Sequence, residues 1–155
     1  MSKSTPDKVL AVEVNYLADN KEISRLAVKK LVNAVCKQFG LSKARISITL
    51  ASDLQIKKLN KRFLGINRIT DCLSFDLSDS RSSIKIFEIV VNAALAGREA
   101  LSRGHSLKAE IALYITHGLL HQLGFDDQKP RQAKKMHKTE DEILQRLGYN
   151  RVYEH

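Results

Sequence analysis

Four stretches of the chain have the residue pattern of β-strands. Apolar and polar residues alternate in VLAVEVNYL (9–17) and RISITLA (45–51), and both stretches are rich in β-branched side chains. Alternation with this composition is typical of half-buried strands. Two further strands are predicted in TDCLSFDL (70–77) and IKIFEIVVNA (84–93), which the polar segment SDSRSS separates. That segment is predicted to be a surface loop.

Five other stretches have apolar residues spaced by three or four positions, which predicts helices. The first covers 22–39 and is followed by Gly40, a residue type that commonly ends a helix. The second is short and begins at Asp53, its predicted N-cap. The others cover about 92–103, 106–123 and 130–147. Strands in the first half and helices in the second predict an α/β fold in the α+β sense, with one sheet covered by helices.

The length and composition are those of one ordinary globular domain, and we expect a single domain over residues 1–155. Hydrophobic residues make up 43% and charged residues 28%, which argues against a disordered or fibrous chain. The longest apolar stretch, about 111–120, is shorter than the roughly 20 residues that a membrane span needs. It is therefore predicted to be a buried helix, and no membrane partner is expected.

Net charge and cysteine content narrow the partners and the compartment. The chain has 26 Lys plus Arg and 17 Asp plus Glu, a net charge of +9, which favours polyanionic partners such as RNA or DNA. Cys36 and Cys72 form neither a C-x-x-C pair nor a disulfide framework. The first 20 residues also lack the apolar core of a signal peptide. We therefore expect a cytoplasmic protein.

The segment HGLLHQLGFDD (117–127) contains the strongest chemical signal in the chain. His117 and His121 are one helical turn apart and can point at one ion, although two such imidazoles can also simply hydrogen-bond within a core. Gly124 permits a sharp turn that would bring Asp127 back towards them. The spacing His-x3-His-x5-Asp matches the ligand spacing of the metzincin pattern, with Asp in place of its last His. Three ligands with an open position are typical of a catalytic zinc site.

Other polar residues near this segment have less specific roles. Glu110 and Tyr114 lie on the His117 side of the predicted helix and could orient an imidazole, but ordinary packing is favoured. Asp126 could act as a base, although a loop-capping role is favoured, and His137 is predicted to lie at the surface. The basic residues of the last helix are predicted to form a solubilising face with its acidic ones, Glu140, Asp141 and Glu142.

A basic segment precedes the third predicted strand. Between residues 54 and 70 there is no acidic residue, and five basic ones occur, namely Lys57, Lys58, Lys61, Arg62 and Arg68. Lys and Arg contacts to phosphates supply most of the non-specific affinity of proteins for RNA. We predict RNA binding by Lys61, Arg62 and Arg68, while a solvated helix face remains the alternative.

Two motifs in this order resemble those of the YbeY endoribonucleases. The segment HGLLHQLGFDD is similar to the family signature H-G-x-L-H-L-x-G-Y-D-H, and LNKRFLGINRITDCLSF (59–75) is similar to L-N-x-x-Y-R-G-x-x-x-P-T-D-V-L-S-F. The tripeptide GHS (104–106) precedes the ligand helix as it does in the family, and the likeness covers about residues 45–148.

The resemblance implies a mixed sheet beside a group of helices, and one zinc-like ion held by His117, His121 and Asp127. It also implies hydrolysis of single-stranded RNA, with roles in ribosomal RNA maturation at the 3′ end of the small-subunit rRNA and in ribosome quality control. Asp127 stands where the family has His, which makes Mn²⁺ or Mg²⁺ more plausible occupants beside Zn²⁺. Leu64 stands where the family has Arg, so a phosphate-binding guanidinium is missing there.

Three functions are consistent with these residues. The first is a metal-dependent endoribonuclease acting on ribosomal RNA or ribosomal particles. The second is a ribosome- or RNA-binding module with little catalytic power, which Leu64 and Asp127 favour. The third is a metal-dependent peptidase, for which Gly118 is unfavourable because zinc proteases use Glu at that position as the general base. Nothing in the sequence favours a particular oligomeric state.

Overall fold

The computed structural model describes residues 9–17 and 23–149. Within these residues the predicted fold class is confirmed, because a mixed sheet of four strands is covered by five helices. The elements are, in chain order, β1 (Val9–Tyr16), α1 (Arg25–Gln38), β2 (Lys43–Ala51), α2 (Asp53–Leu64), β3 (Cys72–Asp76), β4 (Lys85–Asn92), α3 (Ala93–Arg103), α4 (Leu107–Gln122) and α5 (Pro130–Arg146).

The strands are ordered β1-β2-β4-β3 across the sheet. The first three run parallel, and β3 pairs antiparallel with β4 at the edge. Val14, Ile48 and Ile89 lie side by side on the three parallel strands and are all buried. Their face of the sheet packs against α1 and α4, and α5 joins the same main core by packing against α4. The opposite face packs against α2 through a smaller cluster.

Helix α4 is the most buried helix of the core, as its apolar sequence predicts. Eleven of its 16 residues are buried. Gly118 lies where α4 crosses the sheet, and a Cβ atom at this position would lie 2.9 Å from Ile89 Cγ2 and 3.6 Å from Cys72 Sγ. Because Gly118 has no side chain, α4 can approach β3 and β4 closely and lies directly against the sheet.

Two predicted helix starts can be compared with the structure. Ser106 caps α4 as expected, since its hydroxyl accepts a hydrogen bond from the Ala109 N–H at 3.0 Å. The prediction of Asp53 as the cap of α2 is wrong. Ser52 is the N-cap, because its hydroxyl and the Gln55 side chain form a reciprocal capping box. The predicted start of the first helix at residue 22 lies outside the described residues.

Asn92 connects four segments at the carboxyl end of β4. Its side chain is fully buried, caps α3 by accepting a hydrogen bond from the Leu95 N–H, and donates to the Asp53 carboxylate and to the Thr70 carbonyl oxygen. Its backbone N–H donates to the Asp71 carbonyl oxygen at 2.8 Å. One amide side chain and its own backbone thus join β4, α2, α3 and the segment before β3.

Two findings bear on the expected compartment and partners. Cys36 and Cys72 are both free thiols, and burial raises the pKa of Cys36 to about 11. A thiol with such a pKa is almost entirely protonated at neutral pH and is a poor nucleophile. Among the described residues, no helix combines the length and the apolar character that crossing a membrane requires.

Candidate metal centre

The three predicted ligands converge at the C-terminal end of α4. The Nε2 atoms of His117 and His121 are 3.0 Å apart. Asp127 Oδ2 lies 3.5 Å from the first of these nitrogens and 3.7 Å from the second. Three donor atoms from 11 consecutive residues therefore surround one point.

A turn after α4 brings Asp127 into position. Gly124 has a φ of +98°, a conformation that is energetically unfavourable for any residue with a side chain. Its N–H donates to the His121 carbonyl oxygen. The Phe125 N–H donates to the Leu120 carbonyl oxygen at 3.0 Å. Asp126 caps the next bend by accepting hydrogen bonds from the N–H groups of Asp127 and Gln128. The predicted loop-capping role of Asp126 is thus confirmed.

Hydrogen bonds to Nδ1 orient both imidazoles. His117 Nδ1 lies 2.8 Å from Glu140 Oε2, and His121 Nδ1 lies 3.1 Å from the Phe125 carbonyl oxygen. A carbonyl oxygen can only accept, so Nδ1 of a neutral His121 carries the proton, and a carboxylate favours the same tautomer in His117. The Nε2 lone pairs therefore face each other and Asp127, which is the state that metal binding requires.

The spacing of the donor atoms fits a tetrahedral metal ion. Two ligands at the usual zinc distances of about 2.0–2.1 Å and at the tetrahedral angle lie about 3.3–3.4 Å from each other. The three separations here, 3.0, 3.5 and 3.7 Å, bracket that value. Two imidazole nitrogens and one carboxylate oxygen are also a common donor set for zinc and an acceptable one for manganese. The residues present thus fit a divalent ion with a ligand position left over.

Glu140 contacts the candidate centre, although this contact was not predicted from the sequence. It was predicted to belong to a solubilising face, but its side chain is fully buried, and Asp141 beside it is buried as well. Glu140 connects His117 to His137, because its Oε1 lies 3.0 Å from His137 Nδ1. His137, predicted to lie at the surface, is 36% exposed and lines the cleft next to Asp127, a position that the prediction did not include.

The sequence does contain a signal for this carboxylate. Glu140 occupies the same face of α5 as Met136, Ile143 and Leu144, all of which are buried. A charged residue in an apolar stripe needs a buried partner. The imidazole of His117 is that partner.

Glu110 and Tyr114 do not hydrogen-bond to His117, so the packing role favoured for Tyr114 is confirmed. Tyr114 is buried and lines the cleft. Glu110 is fully buried, and its Oε1 accepts a hydrogen bond from Arg103 Nη1 at 3.3 Å. Its Oε2 has no hydrogen-bond partner among the described residues. Glu110 therefore pairs with Arg103 and lies 4.0 Å from His105 Nε2, and it does not orient His117.

Acidic groups determine the electrostatics of the centre. Burial alone would lower the pKa of His117, but the hydrogen bond to Glu140 and the negative charges of Glu140, Asp71 and Asp127 outweigh it and raise this pKa. The same concentration of carboxylates would attract a divalent cation. A cleft of about 530 Å³ opens beside His117 and Asp127 and gives them access to solvent.

The packing around Gly118 also restricts which residue could act as a general base at this centre. A side chain at this position would run into Ile89 and Cys72 rather than reach the cleft. A glutamate there, the usual base of zinc peptidases, has no room in this packing. The geometry thus agrees with the sequence in disfavouring a peptidase.

The basic segment lies near the cleft but not in it. Lys61 and Arg62 are in the last turn of α2, Arg68 follows in the loop, and all three side chains are exposed. Arg62 lies over the ring of Phe63 at 5.3 Å, and Leu64 is 53% exposed. Helices α2 and α4 pack on opposite faces of the sheet. The loop that contains Arg68 continues directly into residues 70 and 71, which line the cleft.

Comparisons with known proteins agree on one family. The model of the endoribonuclease YbeY family matches residues 12–148. Endoribonuclease YbeY of Shouchella clausii is 33% identical over 137 residues, which cover 80% of this chain and 86% of that protein. Endoribonuclease YbeY of Desulforamulus reducens is 33% identical over 154 residues, which cover 92% and 100%.

A solved structure has a similar fold. The solution structure of TM1509 from Thermotoga maritima superposes with a TM-score of 0.58 at 21% identity, and the match covers 87% of this chain and 90% of that one. At this level of identity the likeness concerns the fold alone.

Proposed function

The chain belongs to the YbeY endoribonuclease family, and from that membership we propose that it is a metal-dependent endoribonuclease that cleaves single-stranded RNA. The observation that carries the proposal is the convergence of His117, His121 and Asp127 at the end of the family's own signature segment. We further propose that ribosomal RNA is the substrate, including the 3′ end of the small-subunit rRNA, in maturation and ribosome quality control. The net charge of +9 supports a polyanionic partner, and a cytoplasmic location would follow from this role.

We propose that His117, His121 and Asp127 hold one divalent ion, with zinc as the first candidate and manganese or magnesium as alternatives. Such an ion supplies Lewis-acid polarisation of a phosphoryl oxygen and lowers the pKa of water. The chain's own residues supply the rest. Glu140 and the Phe125 carbonyl oxygen hold both imidazoles in the tautomer that leaves Nε2 free, and the 530 Å³ cleft admits the substrate from one side.

This function is tested by incubating the purified protein with unstructured RNA, with and without a chelator. The purified protein with its bound ion is expected to cleave the RNA. Cleavage should stop when a chelator removes the ion and return when Zn²⁺ or Mn²⁺ is added back. The readout is the appearance of internal cleavage products on a sequencing gel. Cleavage that persists unchanged in the chelator, or none with any divalent ion, would contradict the proposal.

We propose that Lys61, Arg62 and Arg68 hold the RNA backbone on its way to the cleft. All three are exposed and none forms an ion pair among the described residues, so their charges are available to phosphates. The triple alanine variant is expected to bind single-stranded RNA with a weaker dependence on salt. The slope of log K against log salt should be smaller by roughly 2 in magnitude, because each lost phosphate contact removes about 0.7 from it. Fluorescence anisotropy over a salt series measures this slope. An unchanged slope would mean that these residues form only a solvated face.

One alternative keeps support from a specific observation. Leu64 presents an exposed aliphatic side chain where the family segment has Arg, so a catalytically weak binding module is the second candidate. In that case salt-sensitive binding to ribosomal particles would survive His117→Ala while no RNA is cleaved by the wild type.

A further inference from the structure

The cleft beside the metal centre has an unusual charge for a site that would receive RNA. Asp71, Glu99 and Asp127 line it, and Glu140 lies buried behind its wall. Among the described residues that line the cleft, Arg103 is the one with a permanent positive charge. The other described lining residues are acidic, neutral or titratable, so a phosphodiester entering this cleft meets a fixed positive charge at the Arg103 guanidinium and at the ion itself.

Arg103 is placed over the same face of α4 as the ligands. It is the last residue of α3, and Gly104, with a φ of +73°, turns the chain into α4. Its partner Glu110 lies in the first turn of α4, and Tyr114 and His117 follow at intervals of four and three residues on the same side of that helix. Seven residues of helix place Glu110 about 10 Å from His117 along the axis. Arg103 thus lies at the far end of a row of side chains that leads to the metal centre.

Two carboxylates hold the guanidinium without covering it. Nη1 donates to the buried Glu110 at 3.3 Å, and Nη2 lies 3.6 Å from Glu99, one helical turn earlier on α3. The Arg103 side chain remains 41% exposed towards the cleft. Guanidinium has five N–H donors in a fixed plane, so an arginine held through one edge can still offer donors to a phosphate.

We propose that Arg103 is the phosphate-binding guanidinium of this cleft, and that it grips a phosphate next to the one that is cleaved. The proposal rests on the endoribonuclease function proposed above. Glu110 is the positioning residue, because its buried Oε1 accepts a hydrogen bond from Arg103 Nη1.

The test must separate phosphate binding from damage to the fold. Arg103→Ala alone would take the hydrogen-bonded cation from the buried Glu110 carboxylate and leave His105 at 4.0 Å, and the loss of such a partner destabilises proteins. The informative comparison is therefore Arg103→Ala combined with Glu110→Gln against Glu110→Gln alone, since both lack the buried charge. Arg81→Ala is the matched control, because Arg81 is an exposed loop arginine with a single weak ion pair to Asp79 at 3.7 Å.

Two measurements are made on each metal-loaded variant. The first is the affinity for a fluorescent 2′-O-methyl RNA oligonucleotide over a salt series, with a gel after each titration to verify that the oligonucleotide is intact. Loss of Arg103 is expected to weaken binding about 10-fold and to lower the salt slope by about 1. The second is the steady-state cleavage of ordinary RNA, in which KM is expected to rise about 10-fold with a smaller change in kcat. Arg81→Ala should stay within about twofold of the wild type in both.

The outcomes distinguish this inference from the proposed function. If the wild type cleaves RNA but the double variant matches Glu110→Gln in affinity, salt slope and KM, the role of Arg103 is refuted while the function stands. If the wild type cleaves no RNA, the proposed function fails, and the oligonucleotide affinities still decide whether Arg103 binds phosphate. Equal losses in the double variant and in Arg81→Ala would show only a general charge effect and would also refute the proposal.

Discussion

Purified Asp127→Ala protein is expected to contain less than about one-tenth of the metal bound by the wild type and to cleave RNA about 100-fold more slowly or not at all. Changes in residues that merely orient metal ligands already cost 10–100-fold, so the loss of one of three ligands costs at least as much. In the proposed site Asp127 is the one oxygen donor, and its Oδ2 lies 3.5 and 3.7 Å from the two imidazole nitrogens. Elemental analysis by mass spectrometry and the gel assay measure the two effects.

A matched control is available in another exposed loop. Asp79→Ala removes a carboxylate that is 59% exposed, pairs weakly with the Arg81 side chain and accepts a hydrogen bond from the Arg81 N–H within the same loop. It is expected to retain full metal content and activity. Asp127→His, which restores the residue type of the family signature, is expected to retain the ion. Full metal content in Asp127→Ala would rule out the three-residue site.

Glu140→Gln is expected to lower the affinity for the metal about 10- to 100-fold at pH 8 while the protein stays folded. The amide keeps the shape of the buried side chain but removes the charge that acts on His117 at 2.8 Å and on His137 at 3.0 Å. A competition titration with a fluorescent zinc chelator measures the affinity. Glu142→Gln, at a half-exposed position on the same helix, is the control and should change nothing.

The pH dependence of this effect has a definite sign. Burial lowers the pKa of His117, but the hydrogen bond and charge of Glu140, with Asp71 and Asp127, raise it overall. Metal binding needs the neutral imidazole, so wild-type affinity falls as the pH drops below this raised pKa. Without the Glu140 charge the pKa of His117 drops, and the decline begins at a lower pH. The wild type and Glu140→Gln should thus converge in acid, and a gap that widens there would contradict the assignment.

The sequence predicted most of the architecture because its periodicities are clear. The apolar residues around the whole of α4 and the alternation in β1 and β2 gave elements close to those of the structure. The N-cap of α2 was misplaced because Ser52 and Asp53 are both good capping residues. The reciprocal bond between Ser52 and Gln55 decides between them. When two neighbouring residues are both good capping residues, the choice between them depends on local backbone geometry, which the residue types alone do not specify.

The centre itself was predictable only where its residues are close in sequence. His117, His121 and Asp127 lie within 11 residues, so a helix and a glycine turn suffice to bring them together. Glu140 is 23 residues from His117 and reaches it only because α5 packs against α4. Its neighbours Asp141 and Glu142 suggested a solvated face. Glu140 and Asp141 are nevertheless buried and Glu142 is not, a difference that depends on how the helix is rotated against the core.

The amide of Asn92 has a consequence for how the substrate would be received. It connects the start of α2, which carries the basic residues, to the carbonyl oxygen of Thr70 at the wall of the cleft. With a buried side chain and hydrogen bonds to three segments, this junction allows little relative motion between the two surfaces. The basic residues and the cleft would therefore already have a fixed relative position before RNA binds. The protein would lose little conformational entropy when it aligns the bound RNA with the site of cleavage.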